Sequence, residues 1–518
     1  MTNPAEAPAG APPPALELLG VDKRFGPVHA NRAVSLRVAA GTVHAIIGEN
    51  GAGKSTLMNI VFGYHQADDG EIRIHGRPAR IRRPHDAIEA GVGMVHQHFM
   101  LVEAFTTLEN IVLGAEGGLR LADGLAGARA SLERLAADYG LAVPLDRPVG
   151  ELPVGLQQRV EILKALHRGA RLLILDEPTA MLTPGEADQL FALLRRLRDE
   201  GKTVLLVTHK LREVMAVSDR VTVMRQGAVV ADLDTRSTSP AELAEKMVGR
   251  AVQLQVERTP SKPGAVLLEA RSLDLRDRHG IARLRDVSFA LHAGEIVGIA
   301  GVAGNGQTEL LEVLAGMRRP DAGEIHLGGR DLVSCGLGPR ERRALGLAHV
   351  PEDRLAAGLV GAFPAWENAL LGYHHRAAYG TGPLLSPSVA IAECGRRMET
   401  FDVRPRLPRL RASAFSGGNQ QKLVLAREIE SSPSVLLVGQ PTRGVDIGAI
   451  EAIHRRLLQL RDAGKALLLV SVELDEILGL ADRILVMHDG AIVGERPGDG
   501  ASEREIGFLM AGGRPGSA

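Results

Sequence analysis

The segment Gly48-Glu49-Asn50-Gly51-Ala52-Gly53-Lys54-Ser55, followed by Thr56, sets three glycines, a lysine and a hydroxyl at the spacing that wraps a chain of phosphates. The glycines let successive backbone N–H groups converge on phosphate oxygens at the positive end of a helix. Lys54 would bridge the β- and γ-phosphates, and Ser55 would offer its hydroxyl to Mg²⁺. Farther on, Leu172-Leu173-Ile174-Leu175-Asp176-Glu177 closes an apolar run with two carboxylates. On a strand these would point to opposite faces. Asp176 would then orient the Mg²⁺, and Glu177 could polarise a water for attack on the γ-phosphate. His209 follows a further apolar run and could hold that water and the γ-phosphate; Gln97, in Val95-His96-Gln97-His98, could sense the metal. Taken alone, His209 reads as a polar loop residue and Gln97 carries no information. Their positions beside the other groups give them weight.

Such groups can meet only if buried strands deliver them to one edge. Val43 to Ile47, Leu172 to Leu175 and Val204 to Val207 are short apolar runs bounded by Gly, Asp or Thr. Amphipathic stretches such as Glu186 to Asp199 separate some of them, which predicts an α/β core with largely parallel strands buried on both faces. The chain also contains its own sequence twice. Leu172 to Thr179 matches Val435 to Thr442, and Gly155 to Gln158 matches Gly418 to Gln421, at one displacement of 263 residues. Gly48 to Thr56 matches Gly301 to Glu309 at a displacement of 253. The expected organisation is a tail at 1–14, a first domain at 15–252, a polar linker at 253–265, a second domain at 266–512 and a short tail at 513–518.

Composition narrows the function classes. The chain has 518 residues, with 61 Lys+Arg against 62 Asp+Glu and 45% hydrophobic residues, so several cores can be buried and no net charge advertises a nucleic-acid partner. Two cysteines, Cys335 and Cys394, are too few for a disulfide framework or a Cys-rich zinc site, as expected in a reducing compartment. No apolar run approaches the ~20 residues that cross a bilayer, so any membrane role would be peripheral. The Pro/Ala-rich start lacks the cationic and apolar regions of a signal peptide and is expected to be a disordered cytosolic tail.

Phosphate loop, acidic strand and the intervening motifs resemble, in order and spacing, the ATP-binding-cassette ATPases, over nearly the whole chain and twice. The family's signature sequence is present as Phe415-Ser416-Gly417-Gly418-Asn419-Gln420-Gln421 in the second copy and altered to Leu152-Pro153-Val154-Gly155-Leu156-Gln157-Gln158 in the first. Phe25 lies where family members stack an aromatic ring on adenine, a core phenylalanine being the alternative. The resemblance implies two tandem cassettes, each with a P-loop NTPase core on a mainly parallel sheet, an antiparallel β subdomain and a helical subdomain. It narrows to the double-cassette ATPases of bacterial importers for simple sugars and nucleosides. Met94 to Val102, Val160 to Leu166, Val350 to Arg354 and Pro441 to Ala449 look like the purine-nucleoside branch, with a sugar such as ribose as the alternative.

The second copy departs from the chemistry where it matters. Gln307 replaces the phosphate-loop lysine, although Gly301, Gly306 and Thr308 keep the loop and its hydroxyl. Gly439 and Gln440 replace Asp176 and Glu177, Val472 replaces His209, and Glu352 replaces Gln97. A neutral amide supplies neither the lysine's charge nor a carboxylate base, so this copy should not hydrolyse ATP. In the family two cassettes close head to tail. Carried over, the Lys54 site would be completed by Ser416, Gly417, Gly418, Asn419 and Gln420 and by Asp446, which matches the family's cross-interface aspartate. The Gln307 site would meet Pro153 and Thr183 instead. All the losses then fall in one composite site, which leaves one hydrolytic site and one that does not turn over, whether it holds ATP, ADP or nothing.

As an importer ATPase the chain would work with two transmembrane permease subunits and, through them, an extracytoplasmic solute-binding protein, on the cytoplasmic face of the bacterial inner membrane. Residues His98 to Glu109 and those after Glu352 would form the permease contacts. Phe99, Met100, Leu101 and Phe105 are candidates for an apolar docking face or for the core. A soluble double-cassette protein acting on ribosomes or nucleic acid would instead have two competent sites and a long charged linker. A protein that binds ATP without turnover would not need the full set Lys54, Asp176, Glu177 and His209.

Overall fold

The computed structural model describes residues 13–26, 28–96, 99–114, 121–179, 182–251, 258–302, 304–381, 384–445 and 447–513. The expected tails lie mostly outside these residues, as do Gln97, His98 and Asp446. The chain divides into two compact units, Met1–Val252 and Gln253–Ala518. No helix among the described residues is long and apolar enough to cross a membrane.

Each unit is built on a six-stranded sheet. In the first the order is Ala228–Asp234, Arg220–Arg225, Val43–Gly48, Thr203–Thr208, Leu172–Asp176 and Val92–Val95. All neighbours run parallel except Ala228–Asp234, which closes the edge as an antiparallel hairpin. The central strands are buried along their whole length, which is why they read as continuous apolar runs with no alternation. A four-stranded antiparallel sheet packs beside this core, its long strands Leu16–Phe25 and Val28–Val38 alternating between buried and exposed positions. Helices such as Val154–His167 and Pro184–Asp199 cover the other face of the main sheet through a cluster that includes Leu163, Leu173, Leu194 and Leu206.

The second unit repeats the plan. Its main sheet runs Leu347–Val350, Val435–Gly439, Ala466–Val470, Glu295–Ala300, Arg483–His488 and Ala491–Pro497, with a four-stranded antiparallel sheet beside it. The start of this unit is tied to its body: Arg258 hydrogen-bonds to the Ala481 carbonyl and Asp499, and the Ser261 hydroxyl donates to Gly294 O at 2.8 Å. In both units the central strands end at one edge of the sheet, where the loops that could carry chemistry begin.

Candidate functional site

The phosphate loop leaves the strand Val43–Gly48 and opens the helix Lys54–Phe62. Gly51 and Gly53 hold φ of 83° and 95°, a region that a side chain disfavours. A Cβ on Gly53 would also lie 2.3 Å from the Ala30 carbonyl oxygen, so the loop closes against the neighbouring strand only because that residue is glycine. The Asn31 amide, fully buried, donates to Gly53 O at 3.1 Å and fastens the loop from the same side. Lys54 is buried and donates from Nζ to Gly48 O at 2.7 Å and Glu49 O at 3.1 Å, which holds the ammonium over the cradle. Burial pulls its pKa below the ordinary lysine value, and Glu177, Asp176 and Glu49 work against that shift.

The acidic strand delivers its two carboxylates to different partners. Asp176 is hydrogen-bonded to the Ser55 hydroxyl; burial raises its pKa, and the neighbouring Glu177 charge adds to that against Ser55 and Lys54. Glu177 meets His209 Nδ1 at 2.9 Å. Burial pushes Glu177 up, but the His209 hydrogen bond and charge, with Lys54 and Lys210, outweigh it and hold the carboxyl below its usual value. The separation does not come from strand alternation, as the sequence suggested. The strand stops at Asp176, and Glu177 turns out of it in a left-handed conformation at φ 49°, its N–H donating to Val207 O at 2.8 Å. A non-glycine residue in that region is uncommon and is held here by the neighbouring strand. Lys54, Ser55, Asp176, Glu177 and His209 are thus brought to one corner. Glycine cradle, helix N-terminus and buried ammonium fit a nucleotide's phosphates, and the hydroxyl–carboxylate pair of hard oxygen donors fits Mg²⁺.

The second copy reproduces this backbone with different groups. Gly306 has φ 100° and a Cβ there would lie 2.4 Å from Arg283 O, the match of Gly53 against Ala30. Gln307 is buried where Lys54 is and donates from Nε2 to Val302 O at 3.1 Å. Gln440 repeats the left-handed turn at φ 48°, with its N–H on Val470 O at 2.8 Å. Its Oε1 accepts from the Val472 N–H at 3.3 Å, where Glu177 has a histidine. Thr308 hydrogen-bonds to Glu352.

The ABC transporter family model matches residues 31–180 and again residues 284–443. The chain belongs to the ABC transporter family. It is an ATP-binding-cassette ATPase with two cassettes, and its similarity to relatives runs from end to end. A nucleoside import ATP-binding protein of Lactococcus lactis subsp. cremoris is 45% identical over 498 residues, covering 96% of this chain and 98% of that protein. A guanosine import ATP-binding protein of Bacillus subtilis is 45% identical over 497 residues, covering 96% and 97%. A glucose import ATP-binding protein of Haloferax volcanii is 45% identical over 530 residues, covering 96% of each chain.

The cassette signatures are helix starts, and they differ as their sequences do. Ser416 stands just before the helix Gly417–Ile429 with no capping bond from its side chain, its hydroxyl accepting instead from Asn419 Nδ2 at 2.8 Å, while Gln420 is buried and donates to Ala412 O at 3.0 Å. Pro153 takes the same place before the helix Val154–His167 and brings no hydroxyl. Thr183, the counterpart of Asp446, is committed elsewhere: it caps the helix Pro184–Asp199, and its hydroxyl and N–H both bond to Glu186 at 2.9 Å. Arg354, absent from the sequence-based site, lies against the second signature. Its Nε donates to Gln420 Oε1 at 3.3 Å, its Nη1 donates to Arg443 O at 3.0 Å, and a Cβ on Gly417 would fall 2.5 Å from its Nη2. Burial and the nearby Arg443 lower its pKa. The first copy has Phe99 at this position.

Two further expectations resolve at single residues. Phe25 is 43% exposed, not core; the His65 ring lies 5.2 Å away between centroids at 71° to it, and the Lys23 ammonium sits over its ring at 5.4 Å from the centroid. Of the four apolar docking candidates, Met100 and Phe105 are exposed, Phe99 is half-buried, and Leu101 packs against the core.

Proposed function

We propose that this chain is the ATP-hydrolysing subunit of a membrane importer, with one hydrolytic and one non-hydrolytic composite site, and that the imported solute is a nucleoside. The observation that carries the reading is the corner formed by Lys54, Ser55, Asp176, Glu177 and His209, set against a second corner with the same backbone in which Gln307, Gly439, Gln440 and Val472 stand at the matching positions. Lys54 and the loop N–H groups bind the ATP phosphates. Ser55 and Asp176, with Gln97, would hold Mg²⁺, which would supply charge stabilisation to the transferring phosphoryl group. Glu177, kept ionised, takes a proton from the attacking water, and His209 orients that carboxylate. On the head-to-tail pairing that the family resemblance implies, Ser416 to Gln420 and Asp446 would complete this site from the second cassette, and Pro153 and Thr183 would stand at the other. Closure on ATP and release after hydrolysis give the two states of different affinity that mechanical coupling needs.

Met100 and Phe105 in the first cassette, and Leu355, Val360 and Phe363 after Glu352 in the second, are exposed apolar side chains suited to permease helices. The chain would sit peripherally on the cytoplasmic face of the membrane, linked through two permeases to a solute-binding protein. Two relatives named for nucleoside and guanosine import support the nucleoside reading. A relative of equal identity named for glucose import favours a simple sugar as the second reading. Uptake of radiolabelled guanosine, adenosine, ribose and glucose by cells with and without this chain tests it. Loss of nucleoside uptake is expected; loss confined to a sugar establishes the second reading, and loss of neither overturns both.

A further inference from the structure

The loops that carry Glu177 and His209 are joined twice. The outer link is the Glu177–His209 hydrogen bond at 2.9 Å. The inner link is made by Glu213, on the helix Leu211–Val217, whose carboxylate accepts from the hydroxyl of Thr179, two residues beyond Glu177. The hydroxyl of Thr208, the residue before His209, also meets this carboxyl and accepts from the Lys210 N–H at 3.0 Å. Glu213 is almost fully buried, and a carboxyl so far from water needs partners of this kind. From the other side Gln158 Nε2 donates to Pro178 O at 2.6 Å. The segment Pro178-Thr179 is therefore held on both sides, directly behind the carboxylate that turns out of the strand at φ 49°. One bond leaves a loop free to pivot, whereas bonds at separate points fix its orientation.

The second cassette releases both holds while keeping the backbone. Glu476, Thr442, Ser471, Gln421 and Pro441 stand at the positions of Glu213, Thr179, Thr208, Gln158 and Pro178, each displaced by 263 residues. Glu476 is turned to His454 Nε2 at 2.9 Å, and no hydrogen bond joins it to Thr442 among the described residues. His454 occupies the place of Phe191, a residue with nothing to offer a carboxylate. The Gln421 amide nitrogen is buried and has no hydrogen-bond partner among the described residues, where Gln158 holds Pro178. Yet Gln440 keeps the left-handed turn at φ 48° and its N–H bond to Val470 O at 2.8 Å. The turn therefore folds without the inner link. That link is present in the cassette that has a carboxylate and a histidine to bring together, and absent from the one that has neither.

We propose that Glu213 is a positioning residue for ATP hydrolysis: by gripping Thr179 and Thr208 it fixes the loop of Glu177 against that of His209, so that carboxylate and imidazole meet in the geometry the attacking water needs. The inference rests on the assignment of Glu177 and His209 to the hydrolytic corner. The chain reconstituted with its permease is assayed for kcat and KM by phosphate release over a range of ATP concentrations, and each variant is melted as a check on folding. Thr179→Val keeps the outline of the side chain and removes only the hydroxyl; Glu213→Gln keeps an acceptor oxygen, and Glu213→Ala removes it. Thr179→Val and Glu213→Ala should each lower kcat by roughly ten- to a hundredfold, the order of loss that a misplacement of about 1 Å brings, with KM unchanged. Glu213→Gln should recover most of the rate, and Glu476→Ala in the second cassette should leave it as in wild type. In a His209→Ala background Glu213→Ala should add little, because it acts through that pair. Wild-type kcat in Thr179→Val, a change in KM alone, or an equal loss in Glu476→Ala overturns the proposal. Turnover persisting in Glu177→Gln, run alongside, would instead strike at the assignment of the base.

Discussion

Replacing Glu177 by Gln tests the hydrolytic corner with little structural disturbance, because the second cassette already holds a glutamine in that backbone setting. Gln440 keeps the left-handed turn at φ 48° and the N–H bond to the neighbouring strand at 2.8 Å, matching Glu177 at 49° and 2.8 Å. The variant should therefore fold, keep the Lys54 and Asp176–Ser55 contacts, and still offer His209 an acceptor oxygen. What it loses is the proton acceptor. Glu177 is held below the usual carboxylate pKa, so at neutral pH it is almost wholly ionised and the substitution removes the full effect of a general base. Such a base is worth roughly 10²–10⁴ in rate, or about 3–5 kcal/mol of barrier. ATP affinity should hold or rise, since one negative charge leaves a pocket that binds a polyanion. Phosphate release by the chain reconstituted with its permease gives the rate, and a fluorescent ATP analogue gives the affinity. Turnover within tenfold of wild type, or loss of ATP binding together with turnover, would refute the assignment. His209→Ala should fall toward the same level, and the double variant should be little worse than Glu177→Gln alone, because the two groups act as a unit.

Other outcomes follow from the asymmetry between the copies and from buried groups. Lys54→Ala should abolish ATPase activity, whereas Gln307→Ala should cost little in the same phosphate-release assay. Ser416→Arg should stop turnover by blocking the lid of the hydrolytic site, while Pro153→Ser should change it by less than about threefold; the reverse pattern would mean that the cassettes do not pair crosswise. Gly53→Ala should destroy nucleotide binding, because its Cβ meets Ala30 O at 2.3 Å in a left-handed region, and equilibrium dialysis with ATP would register the loss. His349 is buried near Glu428, Arg343 and Arg427, and burial brings its pKa down to about 4. Folded His349 stays neutral while an unfolded histidine takes up a proton near pH 6.5, so its contribution is complete above 6.5 and lost as pH falls toward 4. The loss amounts to about 3 kcal/mol, and denaturation midpoints between pH 7 and 4.5 should flatten in His349→Phe.

The strands were legible because they are buried on both faces and read as unbroken apolar runs, and the phosphate loop because its glycines and lysine have few other uses. The defects of the second copy were legible from side-chain chemistry alone. Less visible was anything set by backbone or by packing across elements. The turn at Glu177 places that carboxylate on His209, and no residue type marks it. The spacing Thr183-Pro184-Gly185-Glu186 did carry a signal: a hydroxyl three residues before a glutamate is a capping box, which explains why Thr183 is occupied within its own helix. Asn31 beneath the phosphate loop and Arg354 against the second signature belong to no short pattern, because their partners lie 22 and 66 residues away. Glu352 was readable as a replacement for Gln97, but its relation to Gly439 exists only in three dimensions.

That relation constrains how the second cassette can change over generations. An aspartate at 439 would bring its Cβ within 2.6 Å of Glu352 Cγ and 2.9 Å of Leu311 Cδ1, so these neighbours must move to admit it. Regaining an acid at that position therefore asks for movement of Glu352 and Leu311 as well as the substitution itself.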